Sequence, residues 1–336
     1  MASATGYNNT LSIMDVMRAK NPDGSIAKVA EVLTRYNPIL EDIPFIEGNT
    51  ETGNVITRRS SLGTAEWRRI NSGVGKSVGR TTQVTETCGL LEAYNEVDKR
   101  LLDMAIDKGS FMMQQANAQM EGMAMEMARV LMYGNSYAQP EQFLGFMPRL
   151  NELNTERFNG KPIVLDAGGT SSGSLASILL VAWGEDKVTG IYPKGTTAGL
   201  KYEDLGQHTA NDVNGKQYEI MRQHWTWEAG LCVTDYRYVI RIANIDTSTL
   251  SYDEDKAKNL TNLMIDAFSY IPAGGGAQLV AYAPREVWAY VSKVGNANVN
   301  RNMNTTVNDT SRLISNIAGV PFRMTDAMLP TEAKVQ

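Results

Sequence analysis

The stretch LEAYNEVDKRLLDMAIDKGSFMMQQANAQMEGMAMEMARVLMY, Leu91 to Tyr133, carries the strongest structural signal in the sequence. It contains no proline, and apolar or small residues recur in it at spacings of three and four, the pattern of one helical face. The members of this stripe are Leu102, Ile106, Gly109, Met113, Ala116, Met120, Met123, Met127 and Val130. At about 1.5 Å per residue the predicted helix is roughly 60 Å long. We interpret it as a strut in a mixed helix and strand (α+β) protein, and its methionines as adaptable core residues.

Two glycines mark places where this helix can bend. Each of Gly109 and Gly122 weakens a helix by about 1 kcal/mol relative to alanine, which makes both candidate bend points. The helix is predicted to end at Gly134 and Asn135, which suit a C-terminal cap, and Pro140 prevents it from resuming.

The segment before the helix, residues 46–88, is predicted to form a long β-hairpin. It contains TGNVITRRSSLGTAEWRRINSGVGKSVGRTTQVTET, in which glycines interrupt runs rich in Thr, Val and Ile. Residues 1–45, which mix polar and short apolar stretches and carry two prolines near their end, are predicted to form an N-terminal arm.

The charge of the hairpin is unlike that of the rest of the chain. Between Thr52 and Thr85 its only acid is Glu66, and its cations are Arg58, Arg59, Arg68, Arg69, Lys76 and Arg80. Unpaired arginines are too costly to bury, so this element is not expected to form a core of its own. Two interpretations stay open: a solvated basic hairpin, or an arm whose guanidinium groups bind carboxylates of a neighbouring molecule. Because the chain as a whole is acidic, that neighbour can be a second copy.

Within the hairpin, INSGVGKS (Ile70–Ser77) ends like a nucleotide-binding loop. A phosphate loop needs glycine five positions before Gly75, where this sequence has Ile70, and it must lead from a strand into a helix. The residues after Ser77 have the composition of a strand instead. We therefore interpret this stretch as flexible hairpin.

The composition is that of a folded, acidic protein. With 43% hydrophobic residues, 21% charged residues and a net charge of -5, it argues against disorder and against a dedicated nucleic-acid binder. The N-terminus lacks the pattern of a signal peptide, and the longest apolar run, Ile178–Trp183, is too short to cross a membrane. We expect an intracellular product with no membrane partner.

Sites for metal, cofactor or catalysis are not evident. The two cysteines and two histidines lack the close spacing of metal ligands, and no triad motif surrounds them: Cys88, Cys232, His208 and His224. We interpret the cysteines as core residues and the carboxylate pairs Glu185–Asp186 and Glu203–Asp204 as solvated loop residues.

The second half of the chain is predicted to alternate strands with short helices. His224–Asp246 is rich in β-branched and aromatic residues and predicts one or two long strands, and Ala283–Val294 predicts a short helix. The turn after Asp166 (DAGGT) is similar to a phosphate turn of sugar kinases and actin-like ATPases. The second glycine-rich phosphate loop of that fold is missing, so an ATPase is kept only as an alternative.

The order of these parts resembles a tailed-phage major capsid protein of the Hong Kong type, and four stretches sharpen the resemblance to short-tailed double-stranded DNA phages of the epsilon-fifteen kind. They are GNSYAQPEQFLGF (Gly134–Phe146), WGEDKVTGIYPKGTTAGLKYEDLG (Trp183–Gly206), DYRYVIRIANID (Asp235–Asp246) and IAGVPFRMTDAM (Ile317–Met328). The resemblance covers essentially the whole chain.

The resemblance implies a division of the chain. It makes residues 46–88 the extended loop, and it makes residues 89–165 with 215–250 a peripheral domain whose spine helix is about 91–133. Residues 166–214 with 251–336 become a mixed α/β axial domain. It also places Arg58, Arg59, Arg68, Arg69, Lys76 and Arg80 over an adjacent subunit. Some relatives form lysine-asparagine cross-links from this loop, but we do not assign that reaction to Lys76.

The resemblance also implies function and partners. It implies a non-enzymatic subunit without cofactors that forms hexamers and pentamers of an icosahedral shell, in the virion, after assembly in the host cytoplasm. The shell encloses double-stranded DNA without sequence-specific binding, and it expands as DNA enters. The hairpin begins near residue 46, so we expect a separate scaffolding protein, together with a portal protein and an optional decoration protein. An encapsulin-like compartment of the same fold stays open as an alternative.

Overall fold

The computed structural model describes residues 37–61, 63–153, 162–170, 173–248, 254–272, 276–297, 303–307 and 313–336. Most of the predicted N-terminal arm, residues 1–36, lies outside this part. The helices are α1 (Ile39–Asp42), α2 (Lys99–Met104), α3 (Lys108–Tyr133), α4 (Phe146–Arg149), α5 (Glu254–Tyr270) and α6 (Arg285–Ala297), with a 3-10 turn at Tyr236–Tyr238.

The strands of the described part form two sheets. The six-stranded sheet contains β1 (Phe45–Glu47), β2 (Gly53–Ser61), β3 (Arg80–Asp98), β6 (Val188–Tyr192), β7 (Leu200–Asn211) and β8 (Gln217–Val233). The seven-stranded sheet contains β4 (Val164–Asp166), β5 (Leu175–Trp183), β9 (Val239–Asp246), β10 (Gln278–Ala283), β11 (Met303–Val307), β12 (Leu313–Ile317) and β13 (Val320–Met324). The fold is therefore α+β, as predicted.

The chain divides into two compact units. Among the described residues, the first unit holds Leu90–Met127 and Gly199–Glu228, and the second holds the remainder. In the six-stranded sheet the order is β1-β6-β8-β3-β2, and β7 pairs with β8. Strands β3 and β8 each contribute residues to both units.

The first unit contains the start of the predicted spine helix, which begins later than the sequence suggested. Residues 91–98 belong to strand β3, and α3 runs only from Lys108 to Tyr133, about 39 Å at 1.5 Å per residue. The prediction of a helix from about 91 was wrong because Leu91–Val97 follows the two-residue period of a strand beside β8, and the helical stripe starts only at Leu102.

Two aspartates mark the true helix starts. The Asp98 carboxylate accepts a hydrogen bond from Arg100 N at the start of α2, and Asp107 accepts from Gly109 N, Ser110 N and Ser110 Oγ at the start of α3. Between the two helices Ala105 has an extended backbone, so the helix is interrupted. A small apolar core joins these elements to β3: Val97, Leu101, Leu102, Ala105 and Phe111.

The second unit is built on the seven-stranded sheet. Its order is β11-β12-β13-β10-β5-β9-β4. All nine residues of β5 are buried, which explains why its sequence, LASILLVAW, is a continuous apolar run rather than an alternating one. Helices α5 and α6 join a single core with the sheet through residues such as Met264 and Val287.

Several predictions about individual helices and strands are confirmed. His224–Asp246 forms the end of β8 and the whole of β9, and Ala283–Val294 lies almost entirely in α6. Helix α3 ends at Tyr133, before Gly134. Gly134 is required by space: a Cβ there would lie 2.5 Å from Phe143 O and 2.6 Å from Val130 O. The resemblance assigned β9, within residues 215–250, to the peripheral domain. In the structure β9 pairs with β5, which lies in residues 166–214 of the predicted axial domain.

Candidate functional site

The predicted hairpin is confirmed, and its base is a regular antiparallel pair. Strands β2 and β3 pair from Gly53–Thr87 to Arg59–Thr81, and the register shifts before Ser61–Arg80. The residue at position 53, where the pair starts, must be glycine because a Cβ there would lie 2.0 Å from Glu86 O.

A buried ionic cluster fixes this base within the second unit. Glu86 is 5% exposed and accepts two hydrogen bonds from Arg149, Nη1 to Oε1 at 2.8 Å and Nη2 to Oε2 at 2.7 Å. Arg58 Nη2 donates to the same Oε1 and to Val233 O, and its guanidinium carbon lies 4.9 Å from the ring centroid of Tyr236. The Glu86 carboxylate therefore accepts hydrogen bonds from two guanidinium groups at once.

Arg149 completes the cluster on its other side. Its guanidinium also donates to the carbonyl oxygens of Leu144, Gly145 and Leu231. Burial lowers the pKa of Arg149, but the hydrogen bonds and charge of Glu86 outweigh burial, and the net effect is a raised pKa. Arg149 therefore stays charged and holds the hairpin base to α4.

This cluster changes the interpretation of Arg58. The resemblance placed all six hairpin cations over a neighbouring subunit, but Arg58 is 18% exposed and bound within its own chain. Sequence reasoning missed its partner because the charge count stopped at Thr85, one position before Glu86. Arg149 was missed because a partner 63 positions away leaves no local pattern.

Beyond the paired strands, residues 63–79 form an exposed loop. Its internal bonds include Thr64 N to Ser77 Oγ at 2.6 Å, Gly75 N to Glu66 Oε2 at 3.2 Å and Arg68 Nε to Ser72 O at 2.8 Å. At its tip Ser72 N donates to Arg69 O, and Asn71 has φ 67°, the positive value that the third residue of such a turn can require. INSGVGKS lies in this loop and leads into strand β3, not into a helix, so the phosphate-loop reading fails.

The loop displays cations and apolar groups together. Arg68, Arg69, Lys76 and Arg80 are exposed. The exposed fractions of its large apolar side chains are 104% for Trp67, 93% for Ile70, 77% for Val78 and 49% for Val74. Large apolar side chains that are exposed beside cations in one loop are typical of interaction surfaces. The side chain of Arg59 lies outside the described part, although its backbone pairs with Thr81.

The two candidate bend glycines fall at different places in α3. Gly109 is the second residue of the helix and lies in the turn capped by Asp107, so it is not an interior position. Gly122 is interior, and a Cβ there would meet no atom within 4 Å. Only Gly122 can act as an interior bend point.

The residues that the sequence analysis considered for catalysis or ligand binding have structural contacts. Asp166 accepts hydrogen bonds from Gly168 N and from Asn244 Nδ2, both at 2.9 Å, which holds the turn after β4. Burial raises the pKa of the Cys232 thiol, in keeping with a core residue. Glu203 and Asp204, expected in a loop, lie in β7.

Among the described residues, no group of three or more His, Cys, Asp or Glu side chains gathers as metal ligands. None of the helices in the described ranges is long and apolar enough to cross a membrane.

Comparisons with known proteins agree with this architecture. The chain is 28% identical to a chain in the cryo-electron microscopy structure of bacteriophage epsilon15, with 99% of each chain covered and a TM-score of 0.76. The bacteriophage JBD30 capsid shares the fold, with 11% identity, 89% of this chain and 93% of that chain covered, and a TM-score of 0.51. A comparison with curated proteins found no match. The Hong Kong-type capsid fold predicted from sequence is thus confirmed. Because residues 21–336 match the model of the family described as major capsid protein GP7, the chain belongs to this family of shell-forming capsid proteins.

Proposed function

We propose that this capsid subunit forms hexamers and pentamers of an icosahedral shell around double-stranded DNA, and that loop 63–79 binds an adjacent subunit. The observation that carries the proposal is the loop itself: a fully exposed Trp67 beside exposed Arg68 and Arg69, on a base anchored by buried charges. The role is structural, without a catalytic step.

The chemistry of the loop suits docking onto protein. Trp and Arg are the side chains that most often dominate interface energies, because they combine a large apolar area with directed donors. The net charge of the chain is -5, so a basic loop is complementary to other copies. The same acidity suits a wall that must enclose a polyanion without gripping it.

The division of labour along the chain is part of the proposal. Residues 46–88 act as the extended loop, and α3 acts as the spine of a peripheral domain. The seven-stranded sheet with α5 and α6 is the axial domain that meets its copies at capsomer centres. This places β9 and its neighbours in the axial rather than the peripheral part.

The shell needs partners that the subunit does not supply. We include a separate scaffolding protein, a portal protein and an optional decoration protein, with assembly in the host cytoplasm and the mature protein in the capsid of a short-tailed phage. Each contact between subunits can be modest, because a subunit held by several neighbours gains from multivalency, and closed rings satisfy each repeated interface.

A charge reversal tests the docking. Arg68→Glu with Arg69→Glu should block shell formation while leaving the subunit folded, because both side chains are exposed and the single described bond they lose is Arg68 Nε to Ser72 O. Size-exclusion chromatography with light scattering, followed by electron microscopy, measures assembly of subunits expressed with the scaffolding protein.

A matched control separates the loop from net charge. Lys194→Glu with Lys216→Glu changes the net charge equally at exposed positions outside the loop, and it should assemble normally. Normal shells from the Arg68 and Arg69 variant would refute loop docking. The contents of native particles test the rest: packaged DNA supports the phage shell, and enclosed enzyme cargo would instead indicate an encapsulin-like compartment.

A further inference from the structure

The exposed loop calls for a complementary acceptor, and the sheet of the first unit is markedly acidic. The strand segments Leu90–Asp98, Leu200–Asn211 and Gln217–Glu228 carry seven carboxylates against two cations, Lys201 and Arg222. The carboxylates are Glu92, Glu96, Asp98, Glu203, Asp204, Glu219 and Glu228. Loop residues 63–79 carry three cations against Glu66 alone. The two surfaces have opposite charge.

Strand alternation divides these acids between two faces. Val97 and Met221 pack with α2 and α3 in the small core, so they point to the inner face. Glu92, Tyr94 and Glu96 alternate with Val97 on β3 and therefore point to the opposite, outer face. His224 joins that face, because its ring stacks on Tyr94 at 4.2 Å, and Glu203 lies directly opposite His224 in the β7–β8 register.

Local ion pairs leave part of this outer face negative. Arg222 binds Glu96 at 2.7 Å, and Lys201 lies 3.9 Å from Glu228. Among the described residues, the one ion-pair partner of Glu92 is the His224 imidazole, at 3.4 Å. No described cation lies within ion-pair distance of Glu203, which is exposed. Glu92 and Glu203 are thus the carboxylates available to guanidinium groups from elsewhere.

The same face also offers apolar surface. Leu90 is 55% exposed and Tyr94 is 51% exposed, both beside Glu92 on one side of β3. An exposed aromatic ring and an aliphatic side chain next to carboxylates match a loop that presents Trp67 and Ile70 next to Arg68 and Arg69. Both the charge and the apolar pattern are complementary.

We infer that the outer face around Glu92, Tyr94 and Glu203 is the surface on a neighbouring copy that receives the Trp67–Arg69 tip of the loop. The inference rests on the proposed docking of the loop and names its acceptor. The tip can reach a neighbour, because a chain of about nine residues on each side of the turn spans at most roughly 30 Å when extended. Trp67 then packs on Tyr94 and Leu90, and the two arginines bind Glu92 and Glu203.

A charge swap tests the acceptor. Glu92→Lys with Glu203→Lys should abolish shell formation by itself, the result also expected for Arg68→Glu with Arg69→Glu. A chain that carries all four substitutions should recover at least a tenth of the native shell yield, because both partners are reversed together. The control Glu185→Lys with Asp186→Lys, an equal charge change in the exposed turn after β5, should assemble normally.

Disulfide cross-linking is a second, independent test of the acceptor. Trp67→Cys with Tyr94→Cys should give disulfide-linked oligomers under mild oxidation, and each single variant should give none above the background of Cys88 and Cys232. The acceptor is wrong if the loop reversal blocks assembly but the acceptor reversal does not. It is also wrong if the four-fold variant stays unassembled and no disulfide-linked oligomer forms. In both cases loop docking survives. If the loop reversal itself assembles, the docking proposal fails.

Discussion

Replacing Glu86 with glutamine tests whether the ionic cluster holds the hairpin base. Glutamine keeps the shape of the side chain but removes its charge. In the native chain Arg149 donates to Glu86 Oε1 at 2.8 Å and to Oε2 at 2.7 Å, and glutamine would present an amide NH2 to one of these donors. Arg149 is 3% exposed and would lose its counter-ion without gaining water. Breaking a buried pair by removing one partner costs about 3–5 kcal/mol.

The assay is urea unfolding of unassembled subunits, kept at low concentration and checked by light scattering. With a denaturant dependence of about 3 kcal/mol per molar, the expected loss lowers the midpoint by at least about 1 M. The exposed Glu66→Gln should stay within about 0.5 kcal/mol of the native chain.

A second variant tests the internal logic of the cluster. Arg58→Gln leaves Glu86 fully bound by Arg149, and Arg58 is 18% exposed, so its loss should cost less than the loss of Glu86. A Glu86→Gln chain that unfolds at the native midpoint, or one that is more stable than Arg58→Gln, would refute the reasoning.

Two further predictions concern the remaining elements. Burial raises the pKa of Asp42 above its ordinary value of 3.8, and the hydrogen bond from Tyr282 and the charge of Arg323 offset only part of this. The folded state thus binds this proton more tightly than the unfolded state, so stability from this group is present below pH 3.8 and is lost as the pH rises through the raised value. Unfolding between about pH 3 and pH 7 should show that Asp42→Asn lacks this loss, and parallel profiles would contradict it. Gly122→Ala should stabilise α3 by about 1 kcal/mol because its Cβ meets open space, and Gly109→Ala should stabilise it less; unchanged shell expansion in the double variant would remove the bending hypothesis.

The sequence predicted elements whose signals are local. The hairpin, the end of α3 at Gly134 and the strands of His224–Asp246 follow from glycine placement, β-branched residues and periodicity. The start of α3 could also have been found, because Asp107 followed by Ser110 is a local capping signal. A segment without proline can still be interrupted, as the extended backbone of Ala105 shows, so the absence of proline does not establish one continuous helix.

Other features depend on residues far apart in the chain. Glu332 accepts hydrogen bonds from Ser177, 155 positions away, and from Tyr133, 199 positions away, and its carboxylate pairs with Arg241 in the core. No spacing rule connects such residues, since only the folded sheet brings them together. The Glu86–Arg149 pair has the same property, since its residues lie 63 positions apart.

The division of the hairpin cations explains how one element can be both rigid and reversible. An exposed ion pair contributes about 0–1 kcal/mol, whereas removing one partner of a buried pair costs about 3–5 kcal/mol. The Glu86–Arg149 pair lies in the second class, and together with Arg58 it fixes the base of the β2–β3 hairpin. Arg68 and Arg69 are exposed, so under the proposed docking their ion pairs belong to the first class, and one misplaced loop can dissociate and bind again. Because every subunit in a closed ring repeats the same weak contact, the completed ring is stable even though each loop is not.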